Sequence, residues 1–304
     1  MASEQMELLK KAMCQMMSAG FMPQFGGDLD PLKLREIIQG AQSRMAIEPG
    51  VSFTSEKFGQ VDAECSVPEN VREDGVIIYI HGGGLICGNA LSSRGYASML
   101  AGETRLPVYS FSYRLAPEDP YPAAVEDCFT AYEAILSKSH GKPVFLIGES
   151  GGAYLCIVTA LKARDTGIPL PAGIIPYSPP VDFSGAIDRR HSKNKDFTVT
   201  VEGMEQLAEL YCPDETLRKE PYVSPCYADF TGLCPMLLAW DESESLAPDS
   251  EILRDKALAA SVPVIAKSYP DCFHAYATVG RGTPESADIL ANTVIFINDL
   301  ISKI

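Results

Sequence analysis

Residues Gly148-Glu149-Ser150-Gly151-Gly152 constrain this chain more than any other stretch. They follow a short apolar run, Val144–Ile147, that reads as a buried parallel strand. A G-x-S-x-G pentapeptide at such a point makes a sharp strand-to-helix turn in which the serine takes a strained backbone conformation. Side chains two residues to either side would collide there, and Gly148 and Gly152 have none. The turn leaves Ser150 Oγ exposed beside the N–H groups of the following helix, a geometry suited to acyl transfer. A second glycine run, His81-Gly82-Gly83-Gly84, follows another apolar strand, Val76–Ile80, and has the form of an oxyanion-hole loop. Either run alone is a weak signal, because glycines also make ordinary turns and phosphate cradles. Together, each after a strand and in this order, they favour acyl transfer. Neither G-x-x-x-x-G-K-[ST] nor G-x-G-x-x-G occurs, so nucleotide binding is not expected.

The remaining composition narrows the partners. A formal net charge of −15 argues against nucleic acid and anionic membranes, whose phosphates demand a basic surface. One basic run, Arg189-Arg190-His191 with Lys193 and Lys195, breaks the trend and reads as a solvated loop. The nine cysteines are odd in number and include no C-x-x-C pair, so neither a disulfide framework nor a zinc or redox site is expected. Cys156 and Cys234 sit in apolar context and read as small core residues. With Glu4 and Glu7 near the N-terminus and no run of membrane-spanning length, a soluble, cytoplasmic protein without signal peptide or membrane insertion is expected.

Along the chain, strands and helices alternate. Apolar runs at Val51–Val67 (a pair), Val76–Ile80, Val108–Tyr113, Val144–Ile147, Ile174–Tyr177, Met236–Trp240 and Val264–Ser268 read as strands. Helices are expected over Ser93–Gly102, from Pro122 to about Leu136, from Ser150 to about Ala163, over Pro248–Ala260 and over Ala287–Ile301. Such alternation requires a doubly wound, mostly parallel sheet with helices on both faces, in a single domain over 1–304. Two stretches fall outside it: a helical N-terminus to about residue 45, and a long polar insertion over about 181–225 with a helix near Glu202–Tyr211. Met6, Leu9, Met13 and Met16–Met17 recur at helical spacing in the first, a stripe that reads as packing. Long insertions into compact domains are usually lids or binding elements, so the two segments are expected to form one helical cap above the site.

A serine needs a base, and the base an orienting carboxylate. Two histidines follow Ser150. His191 lies among basic neighbours in the insertion, whereas His274 follows the Val264–Ser268 strand in a loop that can face the turn, so His274 is the expected base. The acid should lie after the Met236–Trp240 strand, where Asp241, Glu242, Glu244 and Asp249 all qualify by position.

At this point the chain resembles the hormone-sensitive-lipase-like branch of the α/β-hydrolases, whose bacterial members are small carboxylesterases. The resemblance rests on the HGGG loop, on Tyr113-Arg114-Leu115-Ala116-Pro117-Glu118 with Pro122-Ala123-Ala124 and Asp127, and on the serine turn. It continues through Ser224-Pro225, Pro235 with its strand, and Phe273-His274, spanning roughly residues 45 to 280. The family places its acid nine residues after the proline that opens the strand and two before a leucine, which selects Glu244, followed by Leu246. Asp249 then matches a carboxylate that commonly follows without being catalytic. Two departures stand out: GESGG where relatives often have GDSAG, and Asp271 where many place glycine.

The resemblance implies an α/β-hydrolase fold and a serine carboxylesterase acting on short- to medium-chain acyl esters through an acyl-enzyme. Its catalytic residues would be Ser150, His274 and Glu244, with an oxyanion hole of Gly83, Gly84 and Gly151 N–H groups. It implies no metal and no organic cofactor, a small-molecule ester substrate, and a homodimer through Val264–Ser268 as an edge strand. His81 is expected to brace its loop, and Arg114, Glu118 and Asp127 to form a buried polar brace beneath the site. An amide or formamide hydrolase would use the same residues, and a true lipase would need a larger apolar entrance. Non-catalytic ligand receptors on this fold lose triad members, and both Ser150 and His274 are present here.

Overall fold

Eight strands form one sheet in the order β1-β2-β4-β3-β5-β6-β7-β8. They are β1 (Val51–Phe58), β2 (Val61–Pro68), β3 (Val76–Ile80), β4 (Val108–Ser112), β5 (Val144–Glu149), β6 (Gly173–Tyr177), β7 (Met236–Asp241) and β8 (Val264–Tyr269). The computed structural model describes residues 2–22, 24–26, 28–42 and 46–303; positions 1, 23, 27 and 43–45 of the expected cap lie outside the described residues. β1 and β2 pair antiparallel and β2 pairs antiparallel with β4, while every other pairing is parallel. The α/β alternation in the sequence therefore gives the mostly parallel sheet it requires.

Strand periodicity divides the core in two. Ile78 and Ile80, Leu146, and Leu238 and Trp240 point to one face. Ile77 and Tyr79, Phe145 and Ile147, and Leu237 and Ala239 point to the other. Helices α4 (Ala123–Lys138), α5 (Gly151–Thr166) and α7 (Ala247–Ala259) bury their apolar residues against the first face. Helices α3 (Arg94–Thr104) and α8 (Pro284–Ile301) cover the second. Central strands buried on both faces read as continuous apolar runs, which is why they are legible without alternation. Among the described residues, no helix is long and apolar enough to cross a membrane.

The N-terminal stretch forms α1 (Glu4–Ser18) and α2 (Pro31–Gln42), and the insertion forms α6 (Val201–Tyr211). Of the methionine stripe Met6 and Met13 are buried, Leu9 packs half-buried against the same core, and only Met16 faces outward, 46% exposed. The two segments pair directly. Phe25 N donates to Thr198 O at 2.8 Å, and Thr200 N donates to Phe25 O at 2.9 Å. A Cβ on Gly203 would come within 2.1 Å of Phe25 O, so only glycine allows α6 to approach. Arg35 of α2 donates to Ile86 O and Ala116 O and forks onto Glu118, tying this segment to the loop after HGGG.

Candidate active site

Four loops that carry the expected site residues leave the C-terminal ends of parallel strands: HGGG after β3, Ser150 after β5, Glu244 after β7 and His274 after β8. In open parallel sheets this edge is where ligands bind.

Ser150 has φ +53° and ψ −123°, a strained position for a residue with a Cβ. The glycines beside it make the turn physically possible. A Cβ on Gly152 would lie 2.0 Å from Ile80 O, and one on Gly148 would lie 2.6 Å from the Gly152 carbonyl. At Gly151 a Cβ would meet only Leu85 at 3.3 Å, so the glycine there is not demanded by space. Helix α5 starts at Gly151, and its N-terminal dipole favours negative charge beside Ser150.

The serine and histidine turns are anchored to consecutive residues. Ser150 N donates to Tyr177 O at 2.9 Å, and Ala275 N donates to Ser178 Oγ at 3.1 Å. His274 Nδ1 lies 2.8 Å from Glu244 Oε2, while its Nε2 is buried and has no hydrogen-bond partner among the described residues. That bond assigns the proton to Nδ1 and leaves Nε2 as the basic nitrogen. Burial opposes charge on His274, but the Glu244 hydrogen bond and charge outweigh it and raise its pKa above the ordinary histidine value. Burial likewise pushes the fully enclosed Glu244 carboxyl up to about 7, against the pull of His274.

The other three candidate acids are committed elsewhere. Asp241 accepts from Ser243 and Cys272 N, Glu242 from Ser268 Oγ, and Asp249 from Val181 N and buried Arg189. Only Glu244 of the four faces His274.

Gly83 and Gly84 follow β3 with φ +101° and +60°. A Cβ on Gly84 would strike Leu207 at 2.7 Å and Phe25 at 3.1 Å, so both outer segments overlie this loop. His81 is buried, stacks on Tyr113 with ring centres 4.2 Å apart, and donates from Nδ1 to Gly82 O. Burial lowers its pKa to about 4, so it is neutral and braces the loop.

The chain is similar to known hydrolases. The family described as alpha/beta hydrolase fold matches residues 77–278. An acetyl-hydrolase of Streptomyces hygroscopicus is 33% identical over 82% of this chain and 83% of its own length. An esterase of Acinetobacter venetianus is 28% identical over 90% of each. A hormone-sensitive lipase from a metagenome library superposes with a TM-score of 0.84 at 32% identity, covering 90% of this chain and 94% of that one. The chain belongs to the hormone-sensitive-lipase-like branch of the α/β-hydrolases.

Within that family frame, several expectations need correction. The basic run is not a solvated loop throughout: Arg189 is 6% exposed and pairs with fully buried Asp249 at 2.7 Å. His191 of the same run also packs inward, its Nε2 bonding Glu244 O at 2.9 Å. The expected brace of Arg114, Glu118 and Asp127 divides into two pairs. Arg114 forks onto Asp127 but is 47% exposed, and Glu118 reaches outward to Arg35 of α2. Asp271 adopts φ +63°, the left-handed region that favours glycine, and gives its carboxylate to Lys195 and its carbonyl to Lys10.

Two further residues were not singled out from the sequence. Glu149, inside the motif itself, accepts Gly82 N at 2.7 Å and Tyr79 OH at 2.5 Å. Burial pushes it up to about 7. Its neighbourhood includes a cavity of about 340 Å³ lined by Tyr79, Tyr96, Met99 and Thr278. Asp196, from the insertion, brings a carboxylate oxygen to within 4.8 Å of Glu244 and a ring nitrogen of His274. These three are the one group of metal-type donors among the described residues. Glu244 Oε2 is engaged by His274 and both Asp196 oxygens by backbone N–H groups, as in a hydrogen-bonded relay, while buried Glu244 Oε1 has no hydrogen-bond partner among the described residues.

Proposed function

We propose that this chain is a serine carboxylesterase in which Ser150, His274 and Glu244 carry out acyl transfer over an oxyanion hole of Gly83, Gly84 and Gly151 N–H groups. One observation carries the reading: a histidine held through Nδ1 by a buried glutamate, its Nε2 unpartnered, on a turn anchored beside that of a serine at φ +53°. Ser150 Oγ attacks the ester carbonyl carbon as Nε2 takes its proton. The carbonyl π electrons move to oxygen, and the three N–H groups stabilise the oxyanion; one such donor is typically worth roughly 3 kcal/mol. Collapse breaks the bond to the alcohol oxygen, which leaves with the proton from Nε2. Water then repeats the sequence on the acyl-enzyme, releasing the acid and restoring Ser150.

Segments 1–45 and 181–225 serve as the cap, a reading supported by Phe25 and Leu207 over Gly84. Small esters with short to medium acyl chains fit the relatives, one of which is named an acetyl-hydrolase. The nine cysteines are free thiols, seven of them buried, which supports a reducing, cytoplasmic setting. A homodimer would form through β8, a strand paired on one side only, where Ile265 is 45% exposed. Sedimentation as a monomer would refute that pairing.

The deciding experiment is hydrolysis of p-nitrophenyl esters from acetate to palmitate by wild type, Ser150→Ala and Glu244→Ala. A short-chain optimum lost in both variants is expected. A folded wild type silent on every ester overturns the reading, and activity surviving Glu244→Ala moves the acid elsewhere.

A further inference from the structure

The segment 189–199, part of the insertion, grips the acid turn at several successive points. Arg189 pairs with Asp249, and His191 Nε2 bonds Glu244 O. Asn194 donates to Ser245 Oγ, Lys195 N donates to Ser243 O, and Ser245 Oγ donates to Val199 O. Asp196 sits at the centre. Its Oδ2 accepts the Ser245 N–H at 3.0 Å, and its Oδ1 accepts from Thr198 N, Thr198 Oγ1 and Val199 N. Ser245 directly follows Glu244, so this bond fixes the backbone that aims the Glu244 carboxylate.

We infer that Asp196 is a positioning residue of the proposed ester hydrolysis, holding the acid turn and placing a second negative charge beside the His274–Glu244 pair. The inference rests on the esterase reading above. Asp196 Oδ, Glu244 Oε and a His274 ring nitrogen all lie within 4.8 Å of one another. A carboxylate so close to a partly desolvated imidazole interacts strongly, because little water separates them. It favours the imidazolium that forms as Ser150 loses its proton.

The charges facing His274 come from three elements: Glu244 on the acid turn, Asp196 on the insertion and Glu149 on the serine turn. Asp241 lies behind Glu244. The nearby cations, Lys10 and Lys195, are spent on Asp271. The neighbouring charges that bear most on the pair are therefore negative, and Asp196 is the one among them supplied by the insertion. Wherever the proton resides on the pair, removing a negative neighbour weakens its binding.

Asp196→Asn removes the charge and keeps one of the two acceptor oxygens, its amide nitrogen replacing the other; Asp196→Ser keeps a single smaller acceptor. The test is kcat/KM against pH on p-nitrophenyl butyrate for full-length wild type and both variants, with thermal melting to verify the fold. The acid limb should move to lower pH in each folded variant, with kcat on the plateau reduced severalfold and KM little changed. Asp196→Glu should return the limb toward wild type. Limbs that superimpose on wild type would overturn the assignment. So would failure of both Asn and Ser variants to fold, since Asp196 would then be structural only. A wild type without esterase activity would instead sink the underlying reading, so the two failures are distinguishable.

Discussion

Glu149 Oε1 accepts the backbone N–H of Gly82 at 2.7 Å, joining the residue before Ser150 to the loop that carries Gly83 and Gly84. The proposed nucleophile and the proposed oxyanion donors are thereby held by one side chain rather than by two independent turns. Tyr79 OH holds the other oxygen at 2.5 Å, so the carboxyl cannot rotate away. A Cβ on Gly82 would lie 2.9 Å from Glu149 O, which shows how closely the two loops pack.

Removing this link should cost activity before it costs the fold. Glu149→Ala is expected to lower kcat about tenfold or more, because a displaced oxyanion donor loses part of the 10²–10³ such donors supply. Glu149→Gln retains an acceptor for Gly82 and should lose less. The variant also has a signature in stability. The folded pKa of about 7 lies above the ordinary 4.5, so the stabilisation is full below about pH 4.5 and is lost as pH rises toward 7. Thermal melting across that window should show a flatter profile for Glu149→Gln than for wild type. Parallel profiles would mean that Glu149 does not hold its proton more tightly in the fold.

The two glycines after Ser150 should respond oppositely to alanine. Gly152→Ala places a methyl 2.0 Å from Ile80 O, a backbone atom of a central strand that cannot yield. Overpacking of well-packed sites costs roughly 1–3 kcal/mol and more against rigid backbone, so this variant should melt far lower or fail to fold. Gly151→Ala meets only Leu85 at 3.3 Å and should keep its melting temperature and activity. Equal melting of the two variants would contradict the turn geometry.

How much of this could be read beforehand follows from the distance over which each signal acts. The strands, the serine turn and its glycines are local, because a buried parallel strand is an apolar run and a steric turn demands glycine within two residues. Glu244 among four acids was not local; position alone left all four open, and the family spacing selected the one that faces His274. Arg189 and Glu118 were misread because charge in a loop says nothing of where the loop packs. Arg189 finds Asp249, sixty residues away in sequence, and becomes buried. Asp196 had no local signal: only the fold carries it to the Glu244–His274 pair.

The Arg189–Asp249 pair should be structural, not catalytic. Asp249 is fully buried and Arg189 is 6% exposed, so Asp249→Ala strands a desolvated guanidinium and should cost about 3–5 kcal/mol. Replacing both with apolar residues, as Arg189→Met with Asp249→Leu, should recover part of that loss. Recovery stays incomplete because Val181 N loses its acceptor on Asp249. Chemical unfolding of the single and double variants, with kcat measured on the folded fraction, checks both points. A single variant as stable as wild type would refute them.

The pH dependence of activity should carry the mark of His274. To accept the Ser150 proton its Nε2 must be free, so activity disappears as pH falls through the histidine pKa. Burial opposes charge on the ring, but the bond and charge of Glu244, with Asp196 and Glu149 beyond, raise that pKa above the ordinary 6.5. The acid limb of kcat/KM should therefore lie above pH 6.5, not below it. Glu244→Gln removes the main raising influence and frees the tautomer, so its limb should move down while kcat falls by about 10⁴, as when a triad aspartate becomes asparagine. Initial rates on p-nitrophenyl butyrate from pH 5 to 9 measure both. A wild-type limb at or below 6.5 would mean that burial, rather than the surrounding carboxylates, governs the imidazole.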